Sequence, residues 1–319
     1  MAARQRVGFV GLGAMGGPMA TNLLKAGFPL TVYDLVPERT QAAVARGAAA
    51  TASAADAAAG ADVTITMVPN SADSEAAILG PQGVAEGARR GSIIIDMSTI
   101  APSMSRRIAA RVAERGLRML DAPVSRQVAA AVAGTLAIFV GGDRATLDEA
   151  ADVLAAMGTD IYHCGGNGAG AVVKVVNNML AAMNVAALCE AMVLGVKAGV
   201  RPEVLIEAVG NGSGGSYTLN NQIRKFVLAG KFEEGVLPTD YIMKDLGLAL
   251  EAGHELSVPL PHSALAMQQY EACRAAGYAR RYYPILVTLL EQLAGVEVRG
   301  DSDAPSVRLD VPRPQPAQA

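Results

Sequence analysis

Two groups of residues in this chain have types and spacings that can do chemistry. The first is Gly11-Leu12-Gly13-Ala14-Met15-Gly16, placed directly after an apolar run at 6–10 and ahead of a helical pattern. In that setting the first glycine permits a tight turn and the second lets a pyrophosphate approach the backbone. The third lets helix and strand pack closely, and the amides at the helix start meet the phosphate charge. Asp34 ends the next apolar run, about 20 residues on, where a carboxylate accepts hydrogen bonds from the adenine-ribose hydroxyls and repels a 2′-phosphate. The pattern predicts a dinucleotide site that favours NAD; Arg39, in the same loop, leaves NADP open. The second group is Lys174, Asn177, Asn178 and Ala181, which fall at i, i+3, i+4 and i+7 on one helix face. A lysine and two asparagines in so apolar a helix need partners or water, and a lysine desolvated in a closed cleft is suited to proton transfer.

The elements that must hold these groups follow from the apolar pattern. Runs at 6–10, 29–34, 62–68, 92–96, 118–121 and 136–140 read as strands covered on both faces. Helical patterns at 17–26, 37–46, 71–79 and 102–115 lie between them. This alternation predicts an α/β Rossmann-type, doubly wound parallel sheet with right-handed crossovers. Ligands of such sheets bind beyond the carboxyl ends of the strands, which adds Val68, Pro69 and Thr99 as cofactor-contacting candidates. After Gly170 the strand signal stops, and helical periods dominate to about residue 294. The first of these helices can run from 171 to 198, roughly 40 Å. The organisation expected is a dinucleotide-binding domain at 1–166, an all-α C-terminal domain at 167–298 joined by the long helix, and a disordered tail at 299–319.

Composition narrows the function classes. Twenty-seven basic against 30 acidic residues give a net charge of −3, so no broad positive field exists to hold nucleic acid. Hydrophobic residues at 51% and charged residues at 18% supply a sizeable core and exclude an intrinsically disordered chain. Cys164, Cys189 and Cys273 are too scattered for a disulfide framework and read as small buried hydrophobes; with the three dispersed histidines they show no metal-ligand spacing. The opening residues leave no room for an apolar signal core of about 7–15 residues. The stretch at 179–196 approaches membrane-span length but carries Asn184 and Glu190, so it reads as a helix buried in protein or against a partner. A cytoplasmic protein without membrane or nucleic-acid partners, forming a homodimer or homotetramer through its helical domain, is the expectation.

Four motifs, in order, carry a resemblance to the β-hydroxyacid dehydrogenase family, which includes 3-hydroxyisobutyrate, tartronate semialdehyde and sulfolactaldehyde reductases. They are Val10-Gly-Leu-Gly-Ala-Met-Gly-Gly-Pro-Met19; Asp121-Ala-Pro-Val-Ser125 running on to Gly134-Thr-Leu136; Gly168-Ala-Gly170 with Lys174, Asn177 and Asn178; and Lys244-Asp245-Leu246. The resemblance covers residues 6 to about 296. It implies an NAD-dependent enzyme interconverting a small anionic 3-hydroxy acid and its aldehyde by hydride transfer. Lys174 is then the acid/base catalyst, Asn177 or Asn178 orients substrate and lysine, and Lys244 helps bind the cofactor.

The second motif departs from the commonest family pattern. Where many relatives read Ser-Gly-Gly, this chain has Ser125, Arg126 and Gln127, which restricts the backbone that would cradle a substrate carboxylate. Arg126 offers a planar fork able to hold a carboxylate, sulfonate or phosphate in two hydrogen bonds. An arginine there resembles the sulfolactaldehyde reductase branch, although Ser125 and Gln127-Val128 differ from it. Ser125, Arg126 and Gln127 are therefore substrate-binding candidates, with Arg126 the anion clamp. An imine reductase-like enzyme and a non-catalytic dinucleotide-binding scaffold are the alternatives, and retention of Lys174 weighs against both. The segment 210–215 reads as a flexible loop near the substrate.

Overall fold

A computed structural model describes residues 4–233 and 237–308. Its strands are β1 (Val7–Val10), β2 (Leu30–Tyr33), β3 (Ala49–Ala50), β4 (Val63–Thr66), β5 (Ile93–Asp96), β6 (Arg118–Asp121), β7 (Val124–Ser125), β8 (Leu136–Gly141) and β9 (Gly158–Gly165). Among the described residues these form one sheet in the order β3-β2-β1-β4-β5-β6-β8-β7, with β9 paired to β8. Every residue of β1, β4 and β5 is buried, and apart from Thr64, Thr66 and Asp96 these strands are apolar, as parallel strands covered by helices on both faces require. β1 to β6 run parallel.

The sheet departs from an all-parallel pattern at β8, which is antiparallel to β6 and β7 and parallel to β9. Three of these strands carry no readable signal in the sequence. β3 and β7 have two residues each, and β9 is a half-exposed edge strand whose sequence Gly-Thr-Asp-Ile-Tyr-His-Cys-Gly mixes polar and apolar residues.

Helices cover both faces: α1 (Gly16–Lys25), α2 (Pro37–Val44), α3 (Ala54–Ala59), α4 (Ser71–Leu79), α5 (Val84–Gly87), α6 (Pro102–Glu114), α7 (Gln127–Ala133) and α8 (Arg144–Ala155). Met19 and Leu23 of α1 and Leu147, Val153 and Leu154 of α8 pack on one side with Phe9, Ile65 and Ile95. Ile78 of α4 and Ile108 and Val112 of α6 pack on the other with Val10, Ile94 and Met119.

Helix α9 (Ala169–Lys197) is 29 residues long. By length and composition it is apolar enough to cross a membrane. Its start is nonetheless fastened to the sheet, Lys174 and Asn178 are buried on it, and Val175, Ala182, Val185, Cys189 and Met192 enter protein cores. The remaining helices are α10 (Pro202–Gly210), α11 (Thr239–Glu255), α12 (Pro261–Ala275) and α13 (Leu286–Ala294), with a π-helical segment at Leu219–Val227.

The chain divides into two compact units. One runs to Asn178 and takes back Asp245–Leu260; the other comprises Met179–Lys244 and the residues from Pro261 onward. By contacts the division thus falls inside α9, and the later part of α11 groups with the sheet. Sequence reading misses this return because nothing in the apolar period of α11 distinguishes its two ends.

The second unit is built around Tyr270, Tyr282, Tyr283, Cys189 and Cys273, all buried. Tyr270 Oη donates to the Ala182 carbonyl at 2.9 Å and Tyr283 Oη to Gln222 Oε1 at 2.5 Å. Burial pushes the Cys273 thiol up to about 12 and the Cys189 thiol higher, so both are inert hydrophobes at neutral pH.

The segment expected to be a disordered tail is ordered over its first part. Glu291, itself buried, accepts from Val298 N at 2.7 Å and Arg299 Nη1 at 2.6 Å. Glu203 accepts from Asp301 N at 3.0 Å, and Glu207 accepts from Val307 N at 2.7 Å and from the Ser306 hydroxyl. Acidic side chains of α10 and α13 satisfy a backbone that has no ladder of its own; residues 309–319 lie outside the described residues. Replacing Glu291 with alanine leaves Val298 N and the Arg299 guanidinium without their acceptor. That variant should unfold at lower urea, with a stability loss of about 1–3 kcal/mol.

Candidate active site

The glycine turn has the shape of a phosphate cradle. Gly11 has φ +94°, and a Cβ there would stand 2.2 Å from the Met67 carbonyl oxygen. A Cβ on Gly16 would stand 1.9 Å from the Gly11 oxygen, whereas one on Gly13 meets nothing within 4 Å. Gly11 and Gly16 are thus glycine for internal packing, and Gly13 keeps open space that a ligand backbone can enter. Ala14 is exposed and Met15 half-buried beside it. Helix α1 starts at Gly16 with no side chain capping its N-terminus, which suits a bound anion.

Asp34 directly follows β2, with its carboxylate only 6% exposed. Its Oδ2 accepts from Leu12 N at 2.6 Å and its Oδ1 from Val36 N at 2.8 Å. Arg39 Nη1 lies 3.5 Å from Oδ1. One carboxylate therefore fixes the glycine turn and neutralises the arginine that would attract a 2′-phosphate. These residues fit a dinucleotide with a free 2′-hydroxyl.

The loops after β4 and β5 are tied to each other. Val68 N donates to Ser98 Oγ at 2.9 Å, Ser98 N to Asp96 Oδ1 at 3.1 Å, and Thr66 Oγ1 to the same oxygen at 2.9 Å. Asp96 is fully buried, and burial raises its carboxyl above the usual range despite the donors from Ser98 and Thr66. Pro69 is exposed and Thr99 half-buried on the loops so paired.

The next strand performs the corresponding task for α9. Asp121, at the end of β6, accepts from Gly168 N at 2.7 Å and Ala171 N at 2.9 Å. Burial raises its carboxyl, and the two amides oppose that shift. Gly170 lets the helix start approach β8: a Cβ there would stand 2.2 Å from the Phe139 oxygen. One turn further on Lys174 is buried, 9% exposed.

Asn178 is buried with it; its Nδ2 donates to Asp245 Oδ2 at 2.6 Å. Asn177 Nδ2 donates to Asn178 Oδ1 at 2.9 Å, but Asn177 is exposed. The polar face read from the spacing therefore narrows to Lys174 and Asn178, the i, i+4 pair.

Ser125 is half-buried in β7, in register with Ala137. Arg126 and Gln127 have φ +87° and +65°, the left-handed region that favours glycine. A left-handed turn is thus made here by two residues that resist it. The Arg126 guanidinium is engaged by Asp160 Oδ2 at 2.6 Å and the Thr135 carbonyl at 3.1 Å. Lys244 lies in the second unit, its Nζ 5.9 Å from the Tyr241 ring centroid; the segment 210–215 is also part of that unit.

Four contributors went unassigned in the sequence: Asp96, Ser98, Asp121 and Asp245. Asp121 and Asp245 sat inside motifs already singled out; for Asp96 and Asp121 the signal available was an acid ending an otherwise apolar strand, and Ser98 and Asp245 carried none.

Two substitutions separate the roles of the glycines. Gly13→Val should leave the unfolding free energy within about 0.5 kcal/mol of the parent and raise the Kd for NADH, read by fluorescence titration, by tenfold or more, about 1.4 kcal/mol. Gly16→Ala should lower the midpoint as well, because its Cβ meets backbone. Asp34→Ser should lower the preference for NAD over NADP by about tenfold or more, since it removes the ribose acceptor and releases Arg39.

Comparison with known proteins accords with this geometry. Residues 6–166 match the family described as the NAD binding domain of 6-phosphogluconate dehydrogenase, and residues 168–290 the one described as NAD-binding of NADP-dependent 3-hydroxyisobutyrate dehydrogenase. The 2-(hydroxymethyl)glutarate dehydrogenase of Eubacterium barkeri is 44% identical over 295 residues, covering 92% of this chain and 98% of that protein. The NAD-dependent L-serine dehydrogenase of Pseudomonas aeruginosa is 42% identical over 296 residues, covering 91% and 99%. The solved 3-hydroxyisobutyrate dehydrogenase of Mycobacterium tuberculosis with L-serine superposes with a TM-score of 0.83 at 35% identity, over 90% of this chain and 99% of that one. The chain belongs to the β-hydroxyacid dehydrogenase family, NAD-dependent oxidoreductases that act on a CH–OH group.

Proposed function

We propose that this protein oxidises the hydroxymethyl group of a 2-substituted 3-hydroxypropionate to the semialdehyde, and catalyses the reverse reduction, with Lys174 as acid/base catalyst. The observation that carries the reading is a lysine 9% exposed, one turn into a helix whose start is hydrogen-bonded at the carboxyl end of β6. Ligands of such sheets bind at that edge.

The substrates named for the three relatives share one fragment, HO–CH₂–CH–COO⁻. It is present in 2-(hydroxymethyl)glutarate, L-serine and 3-hydroxyisobutyrate, and a common fragment in relatives of 35–44% identity supports the same reacting group here. NAD, which the 11–16 turn and Asp34 would hold, would supply the hydride acceptor when bound. In oxidation the carbinol C–H bond breaks with its electron pair leaving as hydride, while Lys174 Nζ takes the hydroxyl proton. In reduction the Lys174 ammonium returns that proton and stabilises the charge growing on oxygen. Asn178, anchored on Asp245, orients the hydroxyl and the lysine; Lys244 helps bind the cofactor, as the family resemblance implies.

The terminal anion is held by the segment Ser125 to Gln127. In this reading Arg126 exchanges Asp160 for the substrate carboxylate or sulfonate, which is why an arginine replaces glycine in a strained turn. The site operates in the cytoplasm in a homodimer or homotetramer. Support for association comes from α9, where Val173, Val176, Leu180 (48% exposed) and Leu194 (72% exposed) leave apolar surface outside the cores.

Lys174→Ala should lower kcat at least a thousandfold while NADH binding changes less than threefold, on the scale of a lost general acid–base group. Assayed with L-serine, 3-hydroxyisobutyrate, 2-(hydroxymethyl)glutarate and sulfolactaldehyde, Arg126→Gly should raise KM for the preferred anion about tenfold at nearly constant kcat. An unchanged KM would assign Arg126 to tethering β9 instead. Leu180→Lys with Leu194→Lys should convert the oligomer to monomer by light scattering; a parent protein already monomeric at micromolar concentration contradicts the assembly.

A further inference from the structure

Asp96 and Asp121 are partners in register at the ends of the adjacent strands β5 and β6, whose backbones run about 4.8 Å apart. Two carboxyl groups buried side by side are unfavourable unless each is hydrogen-bonded, and each here is engaged by a different set of neighbours. Asp96 binds Thr66 Oγ1 and Ser98 N, and through Ser98 Oγ reaches Val68 N. Asp121 binds the start of α9, through Gly168 N and Ala171 N.

The segment before α9 cannot supply its own cap. Its sequence is Gly165-Gly-Asn-Gly168, without serine, threonine or aspartate, and Asn167 donates its amide to the Met119 carbonyl at 2.8 Å. Gly168 has φ +88°, so the chain enters the helix through a turn with little conformational preference of its own. A helix with free first-turn amides attracts a carboxylate, and the neighbouring strand provides it.

We propose that Asp96 and Asp121 are positioning residues with separate duties: Asp96 sets the paired loops that receive the cofactor, and Asp121 sets the helix turn that carries Lys174. The second half rests on the acid/base reading of Lys174. Neither acid touches a reacting atom; each acts through the backbone it holds. The two acids feel each other's charge across the strand pair, but their hydrogen-bond partners do not overlap, so removing one should disturb mainly one kinetic parameter, a split that general loosening of the sheet edge does not give.

The test is steady-state kinetics of the full chain carrying Asp96→Ala, Asp96→Asn, Asp121→Ala, Asp121→Asn or Lys174→Ala, with hydrogen exchange at the Gly168 and Ala171 amides. Asp121→Ala should lower kcat on the order of a hundredfold, the scale of an ångström misplacement, with KM for NAD within about threefold of the parent. Asp96→Ala should raise that KM about tenfold or more with kcat within threefold. Each asparagine variant retains one acceptor oxygen and should recover part of its own defect, which keeps the comparison available if an alanine variant misfolds. Exchange at Gly168 and Ala171 should quicken in the Asp121 variants and not in the Asp96 variants. Equal changes of kcat and KM in both series, or unaltered exchange in the Asp121 variants, overturn the proposal. Activity surviving Lys174→Ala would remove the acid/base reading alone, because the exchange data and the cofactor KM do not depend on it.

Discussion

The contact on which the site depends is a carboxylate at the end of one strand accepting the first amides of one helix. Asp121 on β6 holds Gly168 N and Ala171 N, and through them sets the origin of a 29-residue helix. Helices transmit orientation rigidly, so this origin fixes the rotation about the α9 axis that turns Lys174 and Asn178 inward and leaves Asn177 outside. Glycine at 170 permits the approach, since any side chain there would meet the Phe139 carbonyl. A charge buried for this purpose is tolerated because the helix start supplies donors and positive potential to it.

The same device recurs along the carboxyl edge of the sheet. Asp34, just past β2, pins the glycine turn at Leu12 N; Asp96 ends β5 and ties the loops bearing Val68 and Ser98. Three strands thus end in or just before an acid whose partners are backbone amides of the next loop or helix. Each trades the flexibility of a loop for a fixed geometry, which is what hydride transfer requires: donor and acceptor carbons held in line with water kept out. The chemistry is modest in its demands, one hydride and one proton, and the construction is correspondingly concentrated on placement.

Much of this was legible in the sequence because it rests on local rules. The glycine fingerprint with Asp34, the apolar runs of β1, β4 and β5, and the long helix with Lys174 and Asn178 are set by steric and periodic constraints that leave a direct trace. What escaped depends on residues distant in the chain. β9 pairs at an edge and has no continuous apolar run; Asp245 reaches Asn178 across 67 residues; Glu291, Glu203 and Glu207 order the segment to residue 308 by accepting backbone donors, which composition cannot reveal. Arg126 falls between the two classes. Its departure from glycine was visible, whereas its left-handed backbone and its ion pair with Asp160 were not.

The central claim is that Lys174 stands at the reacting carbon–oxygen bond, and a crystal structure with NADH and an unreactive 3-hydroxy acid analogue tests it most directly. The account predicts Lys174 Nζ about 3 Å from the analogue hydroxyl, with the pyrophosphate against Gly13 and the analogue carboxylate at residues 125–127. A lysine directed away from the hydroxyl, with another side chain in hydrogen-bond reach of it, would contradict the account.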